Sequence, residues 1–365
     1  QCYALQEHLK KLFPSEEVCV IDHKNPLIEK SYRVFPFSWN GKRSVLGNIL
    51  RFGYWCVMVP ERMKAKSGFV SFRKNALCVG SDLFSDYDII FYGSDQIWNK
   101  TIVGDDEAFF GKHYDGKKIA YAASDGGELI LDDCTVEALK SFKIISCREK
   151  SLSEKLLAHG IKAETVSDPV FLLSKAEWDF FSQKPRKKGY VLAYQMISRS
   201  DFDSEAVKLG KKLGKKVIQI FYVRSLKQFF IRGEKKLSAL TPEQFVGYFA
   251  NAEFVLTTSF HGTAFSILFE KPFYVLSFEK RSERITDLLH SFGLENRFVQ
   301  SLPEDIAGEI YTQSVREKIS DYRLKSKEFI ALCAKNIGGY KCIVILSFAP
   351  LSASYCASSS WRCAA

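Results

Sequence analysis

The sequence predicts an α/β protein built from two Rossmann-like halves facing a cleft, with parallel sheets and helices on both faces of each. Three observations carry this. Short β-rich runs alternate with helical patterns from about residue 86 onward, as βαβ crossovers require. At 365 residues the chain exceeds what one small core organises, so two domains are expected. A polar, basic, proline-containing break, "SQKPRKKG" (182–189), falls just before a fresh strand and divides residues 1–181 from 190–300.

Taken in order, the chain opens with "QCYALQEHLKKLF", in which Cys2, Leu5, Leu9 and Leu12 share one helical face. The stretch lacks the charged-then-apolar order of a secretory signal, and a strand and turn are expected ahead of it. Residues 27–75 are aromatic and basic without a clear period and read as an irregular helical insertion. The strand candidates that follow are "DIIFYG", "KIAYAAS", "KIISCR", "AETVSD", "YVLAYQM", "KVIQIFY", "EFVLTT" and "FYVLSF". Between them "SLSEKLLAHG", "SEAVKLGKKLG", "TPEQFVGYFANA" and "RITDLLHSFG" read as helices, and 301–337 as C-terminal helices. The end, "GGYKCIVILSFAPLSASYCASSSWRCAA" (338–365), is Ser/Ala/Cys-rich and matches neither period. It reads as a disordered tail or an appended, frame-shifted stretch, outside the fold.

Composition narrows the function classes. Hydrophobic content of 46% and charged content of 26% are those of an ordinary globular chain. The apolar runs are far too short for a membrane span. Ten cysteines are scattered singly, with no CxxC pair and no Cys/His cluster, which implies reduced core cysteines, a cytoplasmic setting and no metal. The net charge is +10, with lysines concentrated in "KPRKKG", "KLGKKLGKK" and "RGEKK". These form no stripe interleaved with aromatics, so nucleic acid is not the expected partner. Anionic small substrates, or a lipid-diphosphate acceptor with peripheral contact at the inner membrane face, suit the charge.

Four stretches can carry chemistry. In "YDIIFYGSDQIWN" (87–99) a buried strand runs into Gly93-Ser94-Asp95 at the carboxyl edge of a sheet, where open α/β folds bind ligands. Gly93 admits close backbone approach and Asp95 can accept a proton; equally, Ser94 or Asp95 can cap a turn. In "KIISCREKSLSEKLLAHG" (143–160) Arg148 stands where a strand meets a helix that Ser151 and Glu154 would cap, with Gly160 as its left-handed end. Arg148 suits a phosphate or carboxylate there, or pairs with Glu149 or Asp168. In "VSDPVFLL" (166–173) Asp168 sits in a strand-end turn, a structural position from which it could orient Arg148 or a substrate hydroxyl. In "EFVLTTSFHGTAFSILFEKPFYVLSF" (253–278) His261 falls at a helix N-terminus beside Gly262 and the hydroxyls of Thr258, Ser259 and Thr263. That combination reads as an anion cradle with a proton donor at its mouth.

With these pieces in chain order, the sequence resembles the polysaccharide pyruvyl transferase family over residues 1–335, patchily from 27 to 70. "GSDQIWN" followed by "SFHGT" is the specific pair. "ISCREKSLSEKLLAHGI", "VSDPVFLL" and "RITDLLHSFGLENR" support it, and "QCYALQEHL" is similar to the family's first helix. The resemblance implies a GT-B-like fold and transfer of pyruvate from phosphoenolpyruvate to a hydroxyl pair of a cell-surface polysaccharide or lipid-linked precursor, forming a ketal. It implies phosphoenolpyruvate as donor, no further cofactor and no metal. Arg148 and His261 match the family's functional arginine and histidine, and Asp95 its acidic residue. Gly93, Ser94, Ser259, Gly262, Thr263 and Arg284 are the expected substrate-binding positions. Some members carry Arg-Leu-His where this chain reads Ser259-Phe260-His261, so Lys280, Arg281 or Arg284 is expected to supply the replaced cation. Ketal formation fits these groups, with His261 as general acid, Arg148 on the donor anion and Asp95 on the acceptor hydroxyl. The competing readings are a nucleotide-sugar glycosyltransferase of the same fold and a non-catalytic glycan- or anion-binding relative.

Overall fold

The computed structural model describes the chain apart from residues 32, 43, 197–198, 222–234, 278–282, 307, 336–341 and 347–365. Two six-stranded sheets organise it. The first draws on β1 (Glu17–Val20), β2 (Ile89–Tyr92), β3 (Lys117–Ala123), β4 (Ile144–Cys147) and β5 (Glu164–Thr165). The second draws on β6 (Val191–Gln195), β7 (Val217–Phe221), β8 (Lys235–Leu237), β9 (Phe254–Thr257), β10 (Phe273–Leu276) and β11 (Phe298–Val299). A last strand, β12 (Cys342–Leu346), returns to the first sheet. The orders are β1-β12-β2-β3-β4-β5 and β11-β10-β9-β6-β7-β8, and every strand pair is parallel.

Parallel strands covered on both faces read as nearly continuous apolar runs, and β2 and β10 are apolar at every position. In β2, Ile90 and Tyr92 join the core on one side of the sheet while Ile89 and Phe91 join the core on the other. In β6, Val191 and Ala193 face one layer of helices, and Leu192 and Tyr194 the opposite layer. The N-terminal helix Cys2–Leu12 buries Cys2, Leu5 and Leu9 against the first sheet, with Leu12 partly buried there, as its spacing predicts. Thr241 and Gln244 form a capping box that starts the helix Pro242–Ala250. The helix Gln313–Lys335 links the halves: Val315 packs in the second core and Phe329, Ile330 and Cys333 in the first. Eight described cysteines are free thiols.

Three expectations need correction. Residues 45–76 are not irregular: Val45–Ala76 is one 32-residue helix that Ser44 caps, with Pro60 inside it. Its buried positions are only Asn48, Trp55, Met58 and Phe69, and its outward side is apolar too, so no period stood out. Ser151 does not cap the helix Lys150–Leu157; Glu149 holds the N-cap position, while Gly160 does take the left-handed conformation past its end. The third concerns the C-terminal stretch. Cys342–Leu346 belongs to the fold, wedged between β1 and β2, with Glu17 registered to Cys342 and Val344 to Ile90. Its Ile343, Val344, Ile345 and Leu346 are fully buried, alternating between the two cores. The rest of 338–365 lies outside the described residues. The five apolar residues "CIVIL" are too few to show a helical or alternating period, and a central parallel strand has none to show.

This placement has a measurable consequence. Ile345→Ala should destabilise the protein by about 2–5 kcal/mol in urea denaturation, the cost of a large-to-small change in a packed core. Unchanged stability would mean that β12 is not in the sheet.

Candidate active site

The carboxyl ends of β2, β4 and β5 meet the carboxyl end of β9, and the side chains at this junction are charged and mostly buried. Beyond β2 the chain turns through Gly93 and Ser94 to Asp95. Gly93 has φ of +129°, and a Cβ on it would lie 2.2 Å from the carbonyl oxygen of Tyr121, so only glycine fits. Its N–H donates to Leu346 O at 3.0 Å, so the last residue of β12 holds the turn. Asp95 has a positive φ of 85° and accepts from Ser124 N at 3.0 Å through its carbonyl, while its Oδ1 accepts from Gln96 N at 3.0 Å. The close backbone approach expected of Gly93 is thus made to β3 of the protein itself.

Arg148 follows β4 and is the centre of the site, its side chain only 2% exposed. It donates from Nη1 to Asp168 at 2.9 Å, from Nε to Glu149 at 3.2 Å and from Nη2 to Asp95 at 3.5 Å. Its Cζ stands 4.7 Å over the ring of Phe260, a cation–π contact from the second half. Burial works against the guanidinium charge, but Glu149, Asp95 and Asp168 outweigh it and raise the arginine pKa. Every guanidinium nitrogen is therefore engaged by a carboxylate. Arg148 thus pairs with both Glu149 and Asp168, the partners its sequence context offered, and with Asp95 as well.

Asp168 is fully buried at the start of the turn Pro169–Phe171, where Oδ1 accepts from Val170 N at 3.0 Å. Its Oδ2 takes Arg148 and the side-chain amide of Gln1, and faces His261 Nε2 at 3.8 Å, an ion-pair distance. Burial pushes the Asp168 carboxyl up, but His261 and then Arg148 hold it well below the usual carboxylate range. Glu149 behaves oppositely: burial raises its pKa despite Arg148, and Oε1 accepts from Ser124 Oγ at 2.7 Å. Its Oε2, Ser94 Oγ and His261 Nε2 are buried polar atoms that make no hydrogen bond within the protein.

His261 comes from the second half, in the first turn of the helix Phe260–Leu268, with its side chain 30% exposed. The hydroxyls around it are not arranged as an anion cradle. Ser259 Oγ caps the helix by accepting from Gly262 N, and Thr263 Oγ1 donates to Ser259 O at 3.0 Å. A Cβ on Gly262 would lie 2.2 Å from Thr257 Oγ1, so Gly262 serves close packing of helix on strand. Ser259, Gly262 and Thr263 are thus spent on local structure, because a buried helix start must satisfy its own N–H groups first.

Arg284, in the helix Glu283–Phe292, does reach the site. With its amide oxygen turned toward Arg284, Gln96 accepts from Nη1 at 2.7 Å and Nη2 at 2.9 Å. Lys280 and Arg281 lie outside the described residues. Phe260 and Gln96 were not singled out as site residues, whereas Asp168 and Glu149 were read as partners for Arg148 and both pair with it. Asp168 and Gln96 stand inside motifs already singled out, but nothing in the sequence says that a strand-end aspartate will meet a histidine from the other half.

Elsewhere, Glu17, Cys19 and Cys78 offer ligand atoms within 4.8 Å of one another beside β1. Burial, and then Cys78 and Glu17, push the Cys19 thiol up. A cavity of about 650 Å³ lined by Lys64, Lys184, Arg186 and Lys236 contains none of the Arg148 cluster.

The model of the polysaccharide pyruvyl transferase family matches residues 1–279 of this chain. No curated protein matches it. Among solved structures, the UDP-GlcNAc 2-epimerase from Methanocaldococcus jannaschii is 11% identical, over 91% of this chain and 95% of that one, with a TM-score of 0.44. The epimerase from Neisseria meningitidis bound to UDP-GlcNAc is 9% identical, over 87% and 99%, with a TM-score of 0.42. An uncharacterised protein from Klebsiella pneumoniae is 12% identical, over 81% and 96%, with a TM-score of 0.40.

The buried cluster predicts a pH-dependent stability. Asp168 is held below its ordinary value of 3.8, so the folded state binds fewer protons than the unfolded one. Its contribution is complete above that value and is lost as the pH falls below it. Asp168→Asn should cost about 3–5 kcal/mol at neutral pH, since it breaks a buried ion pair, and should flatten the acid limb of the stability profile in chemical denaturation.

Proposed function

The chain belongs to the polysaccharide pyruvyl transferase family, and from that membership we propose that it transfers pyruvate from phosphoenolpyruvate to two hydroxyls of a sugar, releasing phosphate and leaving a cyclic ketal. The observation that carries this reading is the meeting of His261 with Asp168, Arg148 and Asp95 across the two halves, which puts an acid and a base at one junction.

In this proposal protonated His261 gives its proton to the methylene carbon of the enol ether, and the adjacent carbon becomes an oxocarbenium centre. With Nε2 turned to Asp168, Nδ1 is the nitrogen that serves the substrate. A first sugar hydroxyl attacks that carbon and Asp95 takes its proton. Phosphate then leaves with the carbon–oxygen bonding pair, and the second hydroxyl closes the ketal. Two hydroxyl protons are released; one restores His261 and the other goes to phosphate. Arg284, held by neutral Gln96 rather than by a carboxylate, is the cation suited to the phosphate. Arg148 acts through others, holding Asp95 in place and Asp168 both in place and ionised.

His261→Gln and Asp95→Asn should each lower turnover by roughly 10²–10⁴-fold with little change in donor binding. Arg284→Ala should weaken phosphoenolpyruvate binding by roughly 10–100-fold, the worth of a charged hydrogen bond, in calorimetric titration. If the protein binds nucleotide sugars and not phosphoenolpyruvate, the reaction is glycosyl transfer instead. Binding of phosphoenolpyruvate with unaltered turnover in His261→Gln would remove the histidine from the acid role.

A further inference from the structure

The helix Val45–Ala76 leaves an apolar side in solvent. At 100° per residue, Leu46, Ile49, Leu50 and Val57 fall on one side of it, away from the buried Asn48, Trp55 and Met58. Their exposures are 65%, 55%, 61% and 60%, and Trp39, just ahead of the helix, is 60% exposed. A monomer rarely leaves so continuous an apolar stripe uncovered. No Asp or Glu occurs between Val45 and Pro60. Residues 23–76 hold eleven Lys and Arg against two Glu, a net of nine positive charges in a chain whose total is +10. The basic charge thus falls in the same segment as the exposed apolar stripe, and Lys42, Lys64 and Lys66 among these cations are exposed, while Arg73 is paired with Asp22.

We propose that this helix is a docking face for an anionic membrane surface, lying in the interface with Leu46, Ile49, Leu50 and Val57 among the acyl chains and the surrounding cations on acidic headgroups. Trp39 has the amphipathic ring that interfaces favour. No described helix is long and apolar enough to cross a membrane, so the helix lies on the bilayer and does not span it. Pairing of this face with that of a second copy would set two strongly basic surfaces against each other, which is why a lipid surface is the occupant that fits. The inference is independent of pyruvyl transfer: it requires only the helix and its charge.

The test is co-sedimentation of the full chain with vesicles of phosphatidylcholine alone and of phosphatidylcholine with phosphatidylglycerol, at low and high salt. Leu46→Glu with Ile49→Glu removes the apolar contact, and Lys64→Gln with Lys66→Gln removes charge; all four positions are exposed, and thermal melting checks that each variant folds. The wild type should bind the phosphatidylglycerol vesicles in a salt-sensitive way, and each double variant about tenfold more weakly. No binding to those vesicles, or undiminished binding of the Leu46/Ile49 variant, would overturn the proposal. So would a wild-type dimer that the Leu46/Ile49 variant dissolves without any vesicle binding. Phosphoenolpyruvate titration of the same variants reports separately on the pyruvyl transfer reading.

Discussion

A guanidinium buried to the extent of Arg148 is tolerable only if its charge and its N–H groups are matched, and the shape of this protein's centre follows from that demand. Three carboxylates supply the match, and they come from three places: Asp95 beyond β2, Glu149 beside Arg148 itself, and Asp168 beyond β5. The ends of these strands must therefore converge, and the left-handed conformation of Asp95 and the glycine at 93 are local consequences of aiming the first carboxylate inward. Phe260 adds its ring face from the second half, so the charge is shared across the junction.

The same demand decides what each residue can do. An arginine whose three nitrogens each donate to an acid offers a substrate carboxylate only the N–H groups left over, and the acids around it repel that carboxylate. It fixes Asp95 in place and holds Asp168 in its charged form, and Asp168 in turn faces His261. In the proposed reaction the anion falls to Arg284, whose partner Gln96 is neutral and competes less for the guanidinium charge. The chemistry thus belongs to the junction, since neither half alone holds both the histidine and the acids.

A second division of labour runs through the first half. Its sheet is sealed by β12, whose apolar residues serve both cores, and its site turn is tied to the end of that strand through Gly93 and Leu346. Its long helix does the opposite and keeps apolar residues outside. The core of this half and its outer face are consequently both hydrophobic, and only the surrounding lysines and arginines distinguish the one from the other.

The sequence alone determined the αβ alternation, both sheets as parallel, and the landing of Asp95, Arg148 and His261 at strand ends. These are local facts: continuous apolar runs bounded by Gly, Asp-Pro or a polar break leave few other readings. It missed β1 and the two- and three-residue strands β11 and β8, too short for any period, and read Val45–Ala76 as an irregular helical insertion, because apolar residues surround that helix on all sides. It took "CIVIL" for a tail because no pattern links residues 342–346 to a sheet made some 250 positions earlier. Only the tertiary structure decided that Arg148 meets three acids at once, that Ser259 and Thr263 turn inward, and that Asp168 meets His261. Each of these depends on which charges lie within a few ångströms after folding, and electrostatic pairing over such distances carries no signature in the spacing of residues along the chain.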